Sequence, residues 1–377
     1  MILYIVTALV TILLAYESCR QYAGENKHAR AALYSRVCIV AIFVLLFAVS
    51  ACRLNVGNDY AKYVEFMHRL YTDKYIDDPG VPTEWGFNLL TRVVYGLSGF
   101  ENYLLVFAIY AFATIGIFLT ALRKQSRNFA LSFFMFMTLG YYFQSFSTVR
   151  YYLALAIALY CMRLVIDRKW AQFILLVLLG TGFHKSILVI LPLYFLASLS
   201  WKKWQLAAVL CALACTTFLQ EYILKLVVIL YPSYEDTEYL NGSGFSWINI
   251  MRCAAVLVLA IVVYRRQVAN DREMRFYFYC NLAALALYVF CSFLPIVSRI
   301  AYYLTVSHIL FVPAIIEGLK NDKWKRILKL LLIIGCILYF AMYLIRAYDD
   351  GVLVLPYRTF FFHDMVNILS DVMGATD

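Results

Sequence analysis

The sequence predicts an all-α, polytopic membrane protein with about 12 transmembrane segments, and three observations predict it. The chain has 377 residues, of which 64% are hydrophobic, 17% aromatic and only 15% charged. That balance excludes an ordinary soluble domain. Most of the length divides into runs of roughly 14–22 apolar residues, near the roughly 20 that a membrane helix needs. Runs this continuous fit helices rather than the alternating pattern of a membrane barrel, because a helix satisfies its own backbone in lipid. Finally, the basic residues gather in short segments between the runs.

The predicted spans lie near 2–16, 37–52, 102–122, 129–146, 149–166, 171–183, 187–200, 205–230, 248–264, 276–294, 300–318 and 327–346. The first of them, Met1 to Tyr16, has no basic leader and no small-residue cleavage site, so it reads as a span rather than a secretory signal. Loops 17–36, 123–128, 163–170, 201–204, 265–275 and 319–329 are all basic. They alternate with 53–101, 231–247 and 347–377, which are acidic or nearly neutral; Glu235, Asp236 and Glu238 stand in 231–247 with no Lys or Arg. By the positive-inside rule both termini are extracytoplasmic. The reading is one integral membrane domain over 1–377, with outer loops 53–101 and 231–247 and an extracytoplasmic tail 347–377. Within that tail, 353–370 reads as an amphipathic surface helix or an extra outer-leaflet segment.

Segment 171–199 carries His184-Lys185 at its middle. Two helices of about 13 residues reach only about 20 Å each, short of a bilayer core of about 30 Å. One long span would reverse every later loop against its charge. The segment therefore goes in and comes back, as two short spans or as a re-entrant pair, which leaves 10–12 segments in all.

Net charge is +10, yet the basic residues sit in loops between spans, so no nucleic-acid partner is implied. The ten cysteines form no Cys-x-x-Cys pair and lie mostly in apolar runs, which suits packing. Arg150 is the only charged residue from Phe129 to Met162, and Arg299 the only formal charge from Phe276 to Ile316. Each precedes a tyrosine pair, Tyr151-Tyr152 and Tyr302-Tyr303. A cation in the middle of a span is costly, so both belong in turns near the outer surface. Guanidinium binds phosphate oxygens as a planar fork, so two such groups suit a diphosphate headgroup, against the plainer alternative of snorkelling to lipid. His184 can accept a proton and Lys185 beside it can steady a leaving phosphate. Asp59 and Glu84 are outer-side carboxylates suited to base chemistry or to sugar hydroxyls. His308, nine residues after Arg299, reads as a packed or inter-helix hydrogen-bonding residue. No histidine pair has metal-ligand spacing and no glycine-rich phosphate loop occurs, so no metal or cofactor is expected.

Several of these pieces occur in a recognisable order: Val56-Gly57-Asn58-Asp59-Tyr60-Ala61-Lys62-Tyr63, Glu84-Trp85-Gly86-Phe87-Asn88-Leu89-Leu90, Val149-Arg150-Tyr151-Tyr152-Leu153-Ala154, Phe183-His184-Lys185-Ser186, Ser298-Arg299-Ile300-Ala301-Tyr302-Tyr303 and Pro356-Tyr357-Arg358. The ordered set resembles the EpsG family of bacterial exopolysaccharide polymerases, which are Wzy-like. Two tyrosines follow Arg150 where family members often carry a small polar residue. The resemblance implies polymerisation of polyprenyl-diphosphate-linked oligosaccharide repeats at the outer face of the bacterial cytoplasmic membrane. It makes the lipid-linked oligosaccharide both donor and acceptor, membrane lipids the surroundings, and a chain-length regulator a candidate partner. On this reading His184, Arg150, Arg299 and Glu84 carry catalysis. Asp59, Tyr60, Lys185, Arg252, Tyr151, Tyr152, Tyr303 and Arg358 bind substrate. A flippase for the same lipid and a membrane O-acyltransferase are the alternatives; the first lacks a two-half repeat and the second lacks a cytoplasmic histidine site.

Overall fold

A computed structural model describes residues 1–19, 27–72, 83–216, 218–230, 246–294, 297–349 and 351–363. Most of the predicted outer loop 231–247, Pro295 and the tail beyond 363 lie outside the described residues. Among the described residues the chain forms helices α1 (Ile2–Glu17), α2 (Lys27–Ala51), α3 (Tyr60–Thr72), α4 (Trp85–Ser98), α5 (Tyr103–Gln125), α6 (Phe129–Thr138), α7 (Tyr141–Gln144), α8 (Val149–Ile166) and α9 (Trp170–Thr181). A 3-10 turn at Lys185–Val189 leads to α10 (Ile190–Ser198), α11 (Lys203–Thr216), α12 (Gln220–Leu230), α13 (Trp247–Asn270), α14 (Arg272–Phe290), α15 (Val297–Thr305), α16 (His308–Glu317) and α17 (Asp322–Arg346). No strand ladder occurs among these residues, so the all-α class is what the structure shows.

Among the described residues five helical stretches, counting Val297–Glu317 across the α15–α16 junction, are long and apolar enough to cross a membrane: Ala31–Ala51, Tyr103–Gln125, Val149–Ile166, Val297–Glu317 and Asp322–Arg346. Large apolar side chains on α1, α2 and α17 stay exposed, among them Leu9, Val40 and Leu338, as a lipid-solvated surface requires. The protein is a membrane protein. Two predicted spans break at an identifiable local cause. Run 129–146 breaks between α6 and α7 at Gly140, whose φ of +80° suits glycine. Run 300–318 breaks before His308, where the Ser307 hydroxyl bonds the Leu304 carbonyl at 2.7 Å in competition with the helix. Segment 171–199 forms two short helical pieces, Trp170–Thr181 and Lys185–Ser198, with His184 in the break between them.

Two compact units are present. The first comprises Met1–Tyr160, Leu176–Lys185 and Lys323–Asp377, and the second Cys161–Leu175 and Ser186–Asp322. In the first, region 53–101 folds into α3 and α4, whose inner faces bury Tyr60, Tyr63, Met67, Phe87 and Val94 against Tyr103, Phe107, Tyr110 and Leu153 of α5 and α8. One end of this unit is closed by the C-terminal segment. Leu54 N–H donates to Arg358 O at 3.0 Å, Gly57 N–H to Leu353 O at 2.7 Å, and Ser147 Oγ to Val352 O at 2.9 Å. Tyr4 OH donates to Val354 O at 2.6 Å and Tyr357 OH to Val49 O at 2.9 Å. Residues 352–363 are therefore an irregular strap and not a helix; of the segment 353–370, read as a surface helix or an outer-leaflet segment, the part beyond 363 lies outside the described residues. At the opposite end Arg123 donates to Ser35 Oγ at 2.6 Å and Gln125 to the Leu159 carbonyl at 2.9 Å. In the second unit α14 packs against α10, α13, α15 and α16.

Candidate functional site

Arg150 sits one residue into α8, at the strapped end of the first unit. Its guanidinium lies over two rings, 5.3 Å from the centroid of Tyr63 on α3 and 5.5 Å from that of Phe87 on α4. Cation–π attraction of this kind strengthens when the cation is desolvated, and the Arg150 side chain is only 14% exposed. Nη1 donates to Glu84 Oε2 in a charge-assisted bond, and Glu84 Oε1 accepts the backbone N–H of Lys185 at 3.1 Å. The carboxylate thus ties the start of α8 to the His184-Lys185 break. Arg150 Nε is buried with no hydrogen-bond partner. Burial pushes the Tyr63 phenol up, and the adjacent Arg150 partly offsets this.

Two glycines set the approach. Gly86 N–H donates to Gly182 O at 2.7 Å. A Cβ on Gly86 would stand 2.5 Å from that carbonyl oxygen, and one on Gly182 would stand 2.7 Å from the Trp85 ring. Only hydrogen at both positions lets the Glu84 turn lie this close to the segment leading to Lys185.

Around this pair stand several other predicted residues. The half-buried His184 ring meets buried Tyr151 edge-on, 5.4 Å between centroids. Tyr152 is buried and its hydroxyl donates to Gln144 Oε1. The Lys185 side chain is exposed. Asp59 is half-buried and accepts the Tyr63 N–H on its backbone carbonyl at 3.0 Å. Tyr60 is wholly buried, stacked on Phe107 at 4.3 Å, and presents no surface to a ligand. The Arg358 side chain is exposed on the strap.

The second unit holds the remaining candidates. Arg299 is exposed in the first turn of α15. Arg252 donates to Thr305 Oγ1 at 3.2 Å and lies 6.0 Å from the Tyr302 ring centroid. Tyr303 is fully buried, its hydroxyl 2.8 Å from Ser186 Oγ and its carbonyl accepting from Tyr194 OH at 2.7 Å. His308 Nε2 lies 2.8 Å from Asn281 Oδ1, and the Asn281 amide donates to Cys253 O at 3.0 Å. That second bond fixes the amide orientation, so Nε2 carries the hydrogen and His308 links helices.

A family model described as the EpsG family matches residues 36–359. The chain belongs to the EpsG family. No curated protein and no solved structure matches it. The matched span holds every candidate residue, from Asp59 to Arg358.

One buried cation of this EpsG-family chain escapes sequence reasoning. Arg53 follows α2, is 2% exposed, and lies over the rings of Phe146 at 4.9 Å and Phe107 at 5.4 Å. Its Nη1 donates to Ser50 O and, at 2.8 Å, to Ser50 Oγ, so it caps the negative end of α2. The available signal is a single arginine between the span 37–52 and a loop with Gly57, whose φ is +108° and whose Cβ would collide with the Phe146 carbonyl. No group of three or more metal-ligand side chains occurs among the described residues.

Proposed function

We propose that this EpsG-family protein polymerises polyprenyl-diphosphate-linked oligosaccharide repeats at the outer face of the bacterial cytoplasmic membrane. The observation that carries the reading is the Arg150–Glu84 pair, mostly buried at the start of a membrane helix and anchored to the His184-Lys185 break. An ionisable side chain buried at the start of a membrane helix is by default a candidate functional group.

The acceptor hydroxyl oxygen attacks the anomeric carbon of the donor sugar. The bond from that carbon to the diphosphate oxygen breaks, and the lipid diphosphate leaves. Arg150 stabilises the charge that develops on the departing oxygens. Glu84 is engaged by Arg150 and by the Lys185 N–H, an arrangement that suits it to orienting Arg150. His184 is then the base that takes the hydroxyl proton, with Asp59 the second candidate. Lys185 presents its ammonium beside it. Arg299 and Arg252 are likewise proposed to bind phosphate, and no metal is required. Twelve crossings with both termini outside, read from the alternating loop charge, put Arg150 on the extracytoplasmic side. Both polar ends of the first unit fit that alternation: residues 4, 53, 147 and 354 meet at one, and 35, 123–125 and 159 at the other.

The test is Arg150→Ala, and separately Arg299→Ala, in the native host, with lipid-linked sugars analysed. Long polymer disappears and single repeats accumulate facing outward. Accumulation facing the cytoplasm would instead make the protein a flippase. Unchanged polymer length with lost acylation would make it an acyltransferase.

A further inference from the structure

Helix α4 belongs to a region whose charge places it in an extracytoplasmic loop, yet its surface is not that of an aqueous helix. Trp85, Leu89, Val93 and Leu97 recur every fourth residue, and they and Phe100 just beyond are 48–86% exposed. At 100° per residue they form a stripe about 120° wide. The opposite face, with Phe87, Thr91, Val94 and Tyr95, is buried in the first unit. Arg92 is the only formal charge between Trp85 and Ser98.

Two neighbouring surfaces identify what covers the stripe. Phe100 is three residues before α5, a membrane-length helix against which α4 packs, and Leu105, Ile109 and Phe112 of α5 are exposed. At the other end the Trp85 ring rests on Gly182, just after α9, where Leu178 and Leu179 are exposed. The α4 stripe is thus continuous at both ends with apolar helix surface. At 14 residues, α4 extends about 21 Å, too short to cross a core of about 30 Å.

We propose that α4 lies within the membrane, with its Trp85–Leu97 face on lipid acyl chains, and returns to the side from which it entered. Arg92 beside the stripe extends its guanidinium to headgroups. Glu84, the residue immediately before α4, is thereby held at the boundary between acyl chains and headgroups. The inference rests on the membrane character of the chain and not on the polymerase reading, so the two fail separately.

The test uses the full-length protein in liposomes of phosphatidylethanolamine and phosphatidylglycerol carrying a radiolabelled phospholipid. Leu89→benzoylphenylalanine and Leu97→benzoylphenylalanine variants are irradiated beside Leu330→benzoylphenylalanine on α17 and Lys62→benzoylphenylalanine on α3. Lipid adducts at Leu89 and Leu97 should match those at Leu330 and exceed those at Lys62 about tenfold. Yields as low as at Lys62 would place the stripe in water and overturn the proposal. Crosslinks to a second copy of the chain would overturn it in favour of a protein interface.

Discussion

Arg150 and Glu84 are 66 residues apart in the chain and share a mostly buried charge-assisted hydrogen bond, while the second Glu84 oxygen takes the Lys185 N–H at 3.1 Å. Removing one partner of such a pair leaves a charge with nothing to neutralise it; removing both leaves none. Glu84→Ala should therefore lower stability by about 3–5 kcal/mol, and Glu84→Leu with Arg150→Met should recover much of that loss. Denaturant unfolding of the purified variants in detergent measures the coupling. Additive losses would show that the pair contributes nothing as a pair.

Arg150→Lys keeps the charge and loses the fork and the flat face that lies over Tyr63 and Phe87. Polymer output in a strain lacking the native protein should fall at least about tenfold, the worth of one charged hydrogen bond. Immunoblotting should show normal amounts in the membrane. Full output from the lysine variant would reduce the role of Arg150 to charge alone.

Gly86→Ala should cost about 1–3 kcal/mol by overpacking and should also abolish polymer, because its Cβ would force the Glu84 turn away from Gly182. Gly96→Ala is the contrasting case. Nothing lies within 4 Å of its Cβ position, and alanine in the helix should raise stability by about 0.5–1 kcal/mol. Melting temperatures of the two variants should therefore move in opposite directions.

Tyr4→Phe removes the bond to the buried Val354 carbonyl and should cost about 1–3 kcal/mol. Limited proteolysis should then cut the strap between 351 and 363 sooner than in the parent protein. Equal cleavage rates would mean that the strap is held by its other bonds alone.

A cysteine replacing Glu235 should react with an impermeant maleimide added to intact cells. Reaction only after permeabilisation would reverse the sidedness of loop 231–247 and remove the twelve-span reading.

Arg150 stands out in the sequence because a lone charge inside a long apolar run has an energetic meaning that needs no partner. Its pairing with Glu84 is not legible, since nothing local joins positions 66 apart. The short helices flanking His184 follow from length alone, and the structure has them. The break at Gly140 is less visible, because one glycine in an apolar run reads equally as a tolerated helix residue. Region 53–101 reads as a loop because α4 is apolar on two faces, one packed and one exposed, so no single stripe marks it. The strap 352–363 depends on carbonyls meeting Gly57, Ser147 and Tyr4, and that depends on tertiary structure alone.

The bond between Tyr4 and Val354 joins residues 350 positions apart. At 5–20 residues per second, a ribosome reaches Val354 about 20–70 s after Tyr4. The earliest helices of the first unit therefore wait in the bilayer with one end unsealed while the second unit is synthesised. Ser147, three residues before Arg150, gains its Val352 partner only when the strap arrives. A translation product cut short before Val352 would lack the strap's bonds to Leu54, Gly57, Ser147 and Tyr4, so stalled synthesis would leave that end of the first unit open in the membrane.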